Sequence, residues 1–273
     1  MFISCLHENF SCCSSVYTSS LNPHASLGYL VTCSCNMASP YPAAVIGSTG
    51  LVGSNILSQL LAARSNSASN PVYTITRRTP SASSSCLSAT VETDTSKWAD
   101  ILSRLNPAPS VVFSGLGTTR AAGGGIQNQW KIDHDLNVEL VKASRAAGAD
   151  TFVFISSAGT RNFPFSRLPY SQMKNGVEDA IKDQGFKQAI IVRPGMILGQ
   201  REEARMAEGL VQSMVRGLGN LSTAAQDAWG QEAEVIARAA VKAVELARQG
   251  KAPSNFWVIE GPEIIQLGRE TKE

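Results

Sequence analysis

A doubly wound α/β fold, in which helices cover both faces of a parallel sheet, is the fold class that the sequence predicts. Short apolar runs alternate with longer segments of helical periodicity from residue 43 onwards. The first apolar run leads into a glycine turn and then directly into a helical segment. Strands that are buried on both sides read as continuous apolar runs, so this alternation favours a parallel sheet within a single domain, the Rossmann fold.

Each element is predicted from its own local pattern. The predicted strands are AAVIG (43–47), VYTIT (72–76), SVVFSGLG (110–117), TFVFISS (151–157), QAIIVRP (188–194) and FWVIEG (256–261). Helical periodicity predicts helices after the glycine turn at 51–64 and at 97–105, 126–148, 170–184, 201–215 and 230–249. The Ser-rich stretch 79–90 is predicted to be a loop, and the glycine-rich stretch near 195–230 a small substrate-side segment over the site.

The composition excludes several classes of protein. Hydrophobic residues make up 43% and charged residues 17% of the 273 residues, which is typical of a globular protein. A formal net charge of +2 gives no reason to expect a nucleic acid as partner. No apolar run reaches the roughly 18 residues that a transmembrane helix needs. We therefore predict no transmembrane helix and no nucleic-acid partner.

The first 36 residues differ from the rest of the chain. They contain one charged residue, Glu8, and five of the six cysteines. A zinc or disulfide site is one interpretation, but no CxxC pair or regular ligand spacing is present, so we predict no metal site. Met37-Ala38-Ser39 resembles a natural start shortly before the first strand. We expect residues 1–36 to be a disordered or spurious extension and residues 38–273 to form the domain.

The stretch GSTGLVG, residues 47–53, has the position of a dinucleotide-binding loop, between a first strand and a first helix. Gly47 would allow the tight turn, Gly50 the approach of a pyrophosphate, and Gly53 the packing of the helix against the sheet. The spacing is GxxGxxG, and a plain strand–turn–helix is the alternative. Anions bind at helix N-termini, so the candidate cofactor-binding residues are Gly47, Thr49, Gly50, Leu51, Val52 and Gly53.

The end of the second strand indicates which dinucleotide is bound. An NAD site usually has an acidic residue about 20 residues after the glycines, to bind the ribose 2′-hydroxyl. Here Arg77 and Arg78 stand at that strand end. Guanidinium groups suit a 2′-phosphate, so the sequence predicts NADP as the cofactor. The alternative is that both arginines are solvated surface residues.

Two further strand ends carry candidate cofactor contacts. FSGLGTTR supplies Gly115 and Gly117, which permit close approach of the backbone, and Thr118, for which a purely structural turn is an equal alternative. VRPG places Pro194 and Gly195 where the chain leaves the sheet, beside the expected nicotinamide.

The candidate catalytic residues are Ser157, Tyr170 and Lys174. Ser157 ends a predicted strand, and Tyr170 and Lys174 are separated by one helical turn in the stretch YSQMK. An ammonium group beside a tyrosine stabilises a phenolate, which lets the side chain exchange a proton with a carbonyl or alcohol oxygen. Ser157 would hold that oxygen, and Lys174 would also reach the nicotinamide ribose. The spacing of Tyr170 and Lys174 alone is a weak signal, so the prediction depends on its coincidence with the other motifs.

GSTGLVG, Tyr170 with Lys174, and VRPG together resemble the short-chain dehydrogenase/reductase superfamily, in its atypical NADP-binding branch. GLGTTR, IDHDLN and FISSAG look like the Tat-interacting-protein oxidoreductase group, and MASPYPAAVIGSTGLVGSNIL and EGPEIIQLGRE are similar to the fungal "found in mitochondrial proteome" family. The resemblance covers about residues 38–270 and implies a Rossmann domain that binds NADP(H), with Ser157, Tyr170 and Lys174 at the catalytic positions. It also implies a mitochondrial location, peripheral on the outer membrane.

Two functions remain open from the sequence. The first is an NADP-dependent oxidoreductase that acts on a small carbonyl or alcohol; the second is a non-catalytic NADP(H)-dependent regulatory or scaffold protein, since a fold does not determine a function. Many relatives have an asparagine where this sequence has Asp133, which puts a family proton relay in doubt. The helices at 126–148 and 170–184 are candidates for a homodimer interface.

Overall fold

The computed structural model describes residues 40–64, 70–198 and 230–269. The predicted extension at 1–36, the predicted helix at 201–215 and most of the glycine-rich stretch 195–230 lie outside the described residues.

A seven-stranded parallel sheet forms the centre of the domain, which confirms the predicted fold class. Its strands are β1 (Ala43–Ile46), β2 (Val72–Thr76), β3 (Leu87–Val91), β4 (Val111–Ser114), β5 (Thr151–Ile155), β6 (Gln188–Arg193) and β9 (Phe256–Glu260). They all pair in parallel, in the spatial order β3-β2-β1-β4-β5-β6-β9. Strand order reverses between β1 and β4, and ligands of such sheets bind at the carboxyl ends beside this reversal.

Helices cover both faces of the sheet because successive strand residues point to opposite sides. The helices are α1 (Leu51–Ala62), α2 (Trp98–Ser103), α3 (Ile126–Trp130), α4 (Asn137–Ala146), α5 (Pro169–Asp183), α6 (Ala233–Arg248) and α7 (Gly261–Gly268). Val45 and Phe113 belong to the apolar cluster that includes residues of α1 and α6, whereas Ile46 and Val112 belong to the cluster under α2, α4 and α5. The core therefore consists of two apolar layers separated by the sheet.

Four features differ from the sequence expectations. The prediction of a loop over the Ser-rich stretch 79–90 is wrong in its last part: β3 begins at Leu87 and pairs with β2. This edge strand leaves most of its side chains solvent-accessible and so lacks an apolar run. A π-helical turn, Lys131–Leu136, interrupts the predicted helix 126–148. A short parallel pair of strands, β7 (Met196–Leu198) and β8 (Gly230–Glu232), and helix α7 are not predicted by the sequence pattern.

Candidate functional site

Three glycines pack the first turn against the sheet and the first helix. Gly47 has a φ of +79°, and a Cβ there would lie 2.8 Å from the carbonyl carbon of Gly115. A Cβ on Gly53 would lie 2.2 Å from the carbonyl oxygen of Gly47. No side chain fits at either position, so the backbone itself forms a cradle at the carboxyl ends of β1 and β4.

Helix α1 begins at this cradle with donors facing outwards. Gly50 precedes the helix, and its N–H donates to the Gly47 carbonyl over 2.9 Å. No side chain of the described residues caps this end, and the first turn has no acidic residue. The N–H groups of the first turn, which include those of Leu51 and Val52, therefore have no partner within the helix. Such an end binds phosphate, and the cradle fits a dinucleotide.

Ser48 and Thr49 occupy the same turn but have different environments. Ser48 is buried and shares a short hydroxyl–hydroxyl hydrogen bond with Thr74 of β2, which in turn donates to the Val45 carbonyl over 3.0 Å. Thr49 is exposed. The turn is thus fixed to the sheet through Ser48, a contact that no local sequence pattern indicates, while Thr49 faces solvent.

Arg77 and Arg78 lie at the carboxyl end of β2, beside β1, and both are exposed. The Thr76 hydroxyl donates to the Arg78 carbonyl over 2.6 Å, which shapes the chain as it leaves the strand. The two arginines therefore follow the strand next to the glycine cradle, which is the position that the prediction of a 2′-phosphate site requires.

Asp133 fixes the loop that follows β4. Its carboxylate is buried and accepts a hydrogen bond from the N–H of Thr118 over 2.6 Å. The Gln129 amide bridges this pair, donating to the Thr118 carbonyl over 3.2 Å and to Asp133 over 3.4 Å. A Cβ on Gly117 would lie 3.8 Å from the carboxylate. Gly117 and Thr118 are thereby held in the loop that follows the cradle. Gly115 belongs to the cradle itself and donates its N–H to the Ile46 carbonyl over 3.0 Å.

Burial raises the pKa of Asp133, while the charge of Lys174 and the hydrogen bond from Thr118 act in the opposite direction. The π-helical turn around Asp133 is supported by Asn137, a fully buried side chain. Its amide nitrogen donates to the Ile132 carbonyl over 3.0 Å and its oxygen accepts from Ser114 over 2.7 Å. This turn therefore carries a buried carboxylate that is hydrogen-bonded to the loop after β4.

Lys174, one of the candidate catalytic residues, is held at the end of β5. Its ammonium is buried, donates to the Ile155 carbonyl over 2.9 Å and lies 4.6 Å from the centre of the Phe154 ring. The contact brings the second turn of α5 to the end of β5, two residues before Ser157, which is half-buried. Tyr170 lies in the first turn of α5 with 41% of its surface exposed. All three residues thus belong to the segments at this strand end.

Pro194 and Gly195 leave β6 beside the segment that contains Ser157. The N–H of Ala158 donates to the Pro194 carbonyl over 2.8 Å, and the N–H of Gly195 donates to the side chain of Gln231 over 2.7 Å. The two strand exits are therefore hydrogen-bonded to each other.

One buried carboxylate of the site is not among the residues that the sequence indicates. Glu178 of α5 is fully buried and accepts hydrogen bonds from Ser156, Arg161 and Arg193. Its only sequence signal is its position one helical turn after Lys174. Across the described ranges 40–64, 70–198 and 230–269, no group of three or more His, Cys, Asp or Glu residues is arranged to hold a metal. Within the same ranges, no helix is long and apolar enough to cross a bilayer.

The model of the NAD dependent epimerase/dehydratase family matches residues 43–232. "Protein fmp-52, mitochondrial" from Neurospora crassa is 58% identical over 237 residues, which cover 85% of this chain and 97% of that protein. "Protein fmp52-2, mitochondrial" from Aspergillus terreus is 54% identical over 228 residues, covering 84% of this chain and 97% of the relative.

Solved structures share the fold at low sequence identity. The UDP-glucuronic acid 4-epimerase of Bacillus cereus in complex with NAD has a TM-score of 0.58 and 19% identity, over 80% of this chain and 76% of the epimerase. A short chain dehydrogenase family protein from Francisella tularensis has a TM-score of 0.58 and 14% identity, over 82% of this chain and 99% of that protein. These similarities concern the fold alone.

Proposed function

Because the chain belongs to the NAD dependent epimerase/dehydratase family and shares most of its length with fungal fmp52 proteins, we propose that it is an NADP(H)-dependent oxidoreductase of a small carbonyl or alcohol. The observation that carries the proposal is the glycine cradle, where a Cβ on Gly53 would lie 2.2 Å from the Gly47 carbonyl oxygen, at the uncapped N-terminus of α1. A dinucleotide pyrophosphate requires both features.

The choice of NADP over NAD rests on the end of β2. The matched family is described as NAD dependent, and the Bacillus cereus epimerase is in complex with NAD. An NAD site of this fold usually has an acidic side chain at that strand end. This chain has the exposed side chains of Arg77 and Arg78 instead, and their guanidinium groups favour a doubly charged 2′-phosphate.

The proposed chemistry divides roles among three side chains. The nicotinamide, when bound, supplies or accepts the hydride. Tyr170 gives a proton to the carbonyl oxygen during reduction and takes it back during oxidation, and Ser157 donates a hydrogen bond to the same oxygen. Lys174, one helical turn after Tyr170 and held by the Ile155 carbonyl, has further N–H donors for ribose hydroxyls.

The surroundings of Tyr170 favour a small apolar substrate. Phe163, Phe165 and Leu168 lie between β5 and α5 and are among the exposed large hydrophobic residues, at 75%, 59% and 52%. Among the solved structures that share the fold, one is a UDP-glucuronic acid 4-epimerase and another is in complex with UDP-glucose. A nucleotide sugar carries two phosphates and many hydroxyls, whereas this segment offers aromatic and aliphatic surface, so a simple carbonyl compound suits it better.

The proposal is tested by identifying any nucleotide that copurifies with the protein, followed by a screen of aldehydes and ketones for NADPH oxidation, with UDP-glucose included as a competing class. Bound NADP(H) and turnover of a simple carbonyl are expected. Copurified NAD together with turnover of UDP-glucose alone would contradict the proposal.

The second candidate is a regulatory protein that controls a partner according to whether NADP(H) is bound. The cradle supports this function equally well. Gly50→Asp places a carboxylate in the phosphate site, whereas Tyr170→Phe leaves that site intact. An enzyme loses its cellular function with either substitution. A cofactor-dependent scaffold loses its function only with Gly50→Asp.

We further propose that the protein is mitochondrial and peripheral on the outer membrane. The names of its fungal relatives support the organelle. Isolated mitochondria should release the protein with alkaline carbonate, and external protease should degrade it while the outer membrane is intact. Protection from the protease until the outer membrane is opened would contradict the outer-surface location.

A further inference from the structure

We propose that Glu178 is a positioning residue for the proposed reaction: it holds the exit of β5, which contains Ser157, and the exit of β6, which contains Pro194 and Gly195, in one arrangement around the substrate. The inference rests on the proposed function. Glu178 does not touch the expected position of substrate or cofactor and would act through its partners.

Both oxygens of the Glu178 carboxylate are occupied. Oε1 accepts from the Ser156 hydroxyl over 2.5 Å and from Nε of Arg193 over 3.1 Å. Oε2 accepts from Nη2 of Arg193 over 2.7 Å and from Nη2 of Arg161 over 3.2 Å. The pairing with Arg193 is therefore bidentate, the geometry that restricts orientation most strongly.

The partners come from separate segments of the site. Ser156 directly follows β5 and precedes Ser157, and Arg193 ends β6 and directly precedes Pro194. Arg161 lies in the connection between β5 and α5 and also binds Asp179 over 2.6 Å. Glu178 itself follows Lys174 by one turn of α5. One carboxylate thus joins the segments that carry the proposed catalytic and nicotinamide-facing residues.

The network extends to the last strand of the sheet. Arg193 Nη1 donates to Glu260, at the end of β9, over 3.1 Å. Hydrogen bonds from the guanidinium to Glu178 raise the pKa of Arg193, which keeps this side chain charged. Desolvation offsets much of the attraction within a buried ion network, so the role assigned to this one is the choice of one conformation and not a gain in net stability.

The test is Glu178→Gln in the full chain with NADPH bound. Glutamine keeps the shape and one acceptor oxygen but removes the charge and introduces a donor against the guanidinium groups. Hydrogen exchange followed by mass spectrometry should show exchange faster by about tenfold in residues 156–161 and 193–195, with unchanged exchange in β1 and β4. With the best carbonyl of the screen, kcat should fall about tenfold or more, while the Kd of NADPH stays within about twofold.

Ser144→Ala is the matched control, because Ser144 is also fully buried and donates to the Leu140 carbonyl over 2.6 Å, but on α4. It should leave exchange in both exits unchanged. The proposal would be overturned if Glu178→Gln exchanged hydrogen at the wild-type rate in both strand exits. It would also be overturned if exchange were accelerated equally in every peptide, because that result indicates global destabilisation. If the wild-type protein reduces no carbonyl, the proposed function fails, whereas the exchange experiment still decides the role of Glu178.

Ser156→Ala keeps the test decisive if Glu178→Gln does not fold. It removes one hydrogen bond and leaves Glu178 paired with both arginines. Exchange should rise about threefold or more in residues 156–161 and stay unchanged in 193–195. Unchanged exchange in 156–161 would overturn the proposed link between Glu178 and the β5 exit.

Discussion

Gly53→Ala should disrupt the cofactor cradle although alanine is the better helix former. In an exposed helix interior this change would stabilise α1 by about 1 kcal/mol. At Gly53 the new Cβ would lie 2.2 Å from the Gly47 carbonyl oxygen, whereas real Cβ atoms essentially never lie closer than 3.0 Å to such a neighbour. Both clashing groups are anchored, since Gly47 itself packs against Gly115. The turn must therefore move by about 0.8 Å, and such overpacking costs about 1–3 kcal/mol.

The same displacement should weaken NADPH binding more than it weakens the fold. A shift of this size breaks or lengthens about two hydrogen bonds to charged phosphate oxygens, each worth about 1.5–3 kcal/mol. A loss of about 3 kcal/mol corresponds to a Kd about 100-fold higher. Fluorescence titration with NADPH measures the affinity, and urea denaturation of the unliganded protein measures the free energy of unfolding.

Gly148→Ala is the control for backbone strain without a clash. Gly148 has a φ of +92°, and a Cβ there would have no neighbour within 4 Å. It follows helix α4 and precedes β5, so it lies at the amino ends of the strands, opposite the cradle. The variant should lose about 1–2 kcal/mol of stability and keep its affinity for NADPH. The reasoning is refuted if Gly53→Ala binds NADPH within about threefold of the wild-type affinity.

Two further predictions concern the cofactor and the buried carboxylate. Replacing both Arg77 and Arg78 with alanine should raise the Kd of NADPH by about tenfold or more and leave that of NADH unchanged, because the lost contacts are to the 2′-phosphate; equal losses for both cofactors in parallel titrations would contradict this. Burial raises the pKa of Asp133, so the folded state binds this proton more tightly than the unfolded state, and stability is lost as the pH rises from the ordinary value of 3.8 through the raised one. The free energy of unfolding of Asp133→Asn relative to wild type, measured by urea denaturation, should therefore increase as the pH rises above about 4. A difference that does not change with pH would contradict a raised pKa of Asp133.

Local sequence patterns were sufficient to predict most strands of the sheet and the glycine turn after β1. The apolar runs of β1, β2, β4, β5, β6 and β9 are confirmed within a few residues. The first five strands are largely buried, and β9 buries Trp257 and Ile259, so apolar side chains mark each of these strands in the sequence. The glycine turn was predictable because strand, glycine and helix follow one another directly. The fold class could therefore be predicted before any long-range contact was known.

Features that depend on distant partners were not predictable in this way. Strand β3 has no fully buried residue, and it forms through backbone pairing with β2. The π-helical turn is supported by Asn137 and Ser114, which are 23 residues apart. The role proposed for Glu178 follows from its contacts with Ser156 and Arg193, which lie far from it in the sequence and are brought to it by the sheet. The roles of Ser157, Tyr170 and Lys174 stay predictions, with Lys174 placed at the β5 end by its contact with Ile155.

The central claim is that Tyr170 transfers a proton in an NADP(H)-dependent reaction. The most direct test is to measure both the turnover of Tyr170→Phe and its affinity for NADPH. Tyr170 is 41% exposed in the first turn of α5, so losing one hydroxyl should not disturb the fold. Removing a general acid–base usually costs about 10²–10⁴-fold, so kcat with the best carbonyl of the screen should fall by about 100-fold or more. The Kd of NADPH should stay within about twofold of the wild-type value. Wild-type turnover by Tyr170→Phe would contradict the proposed mechanism.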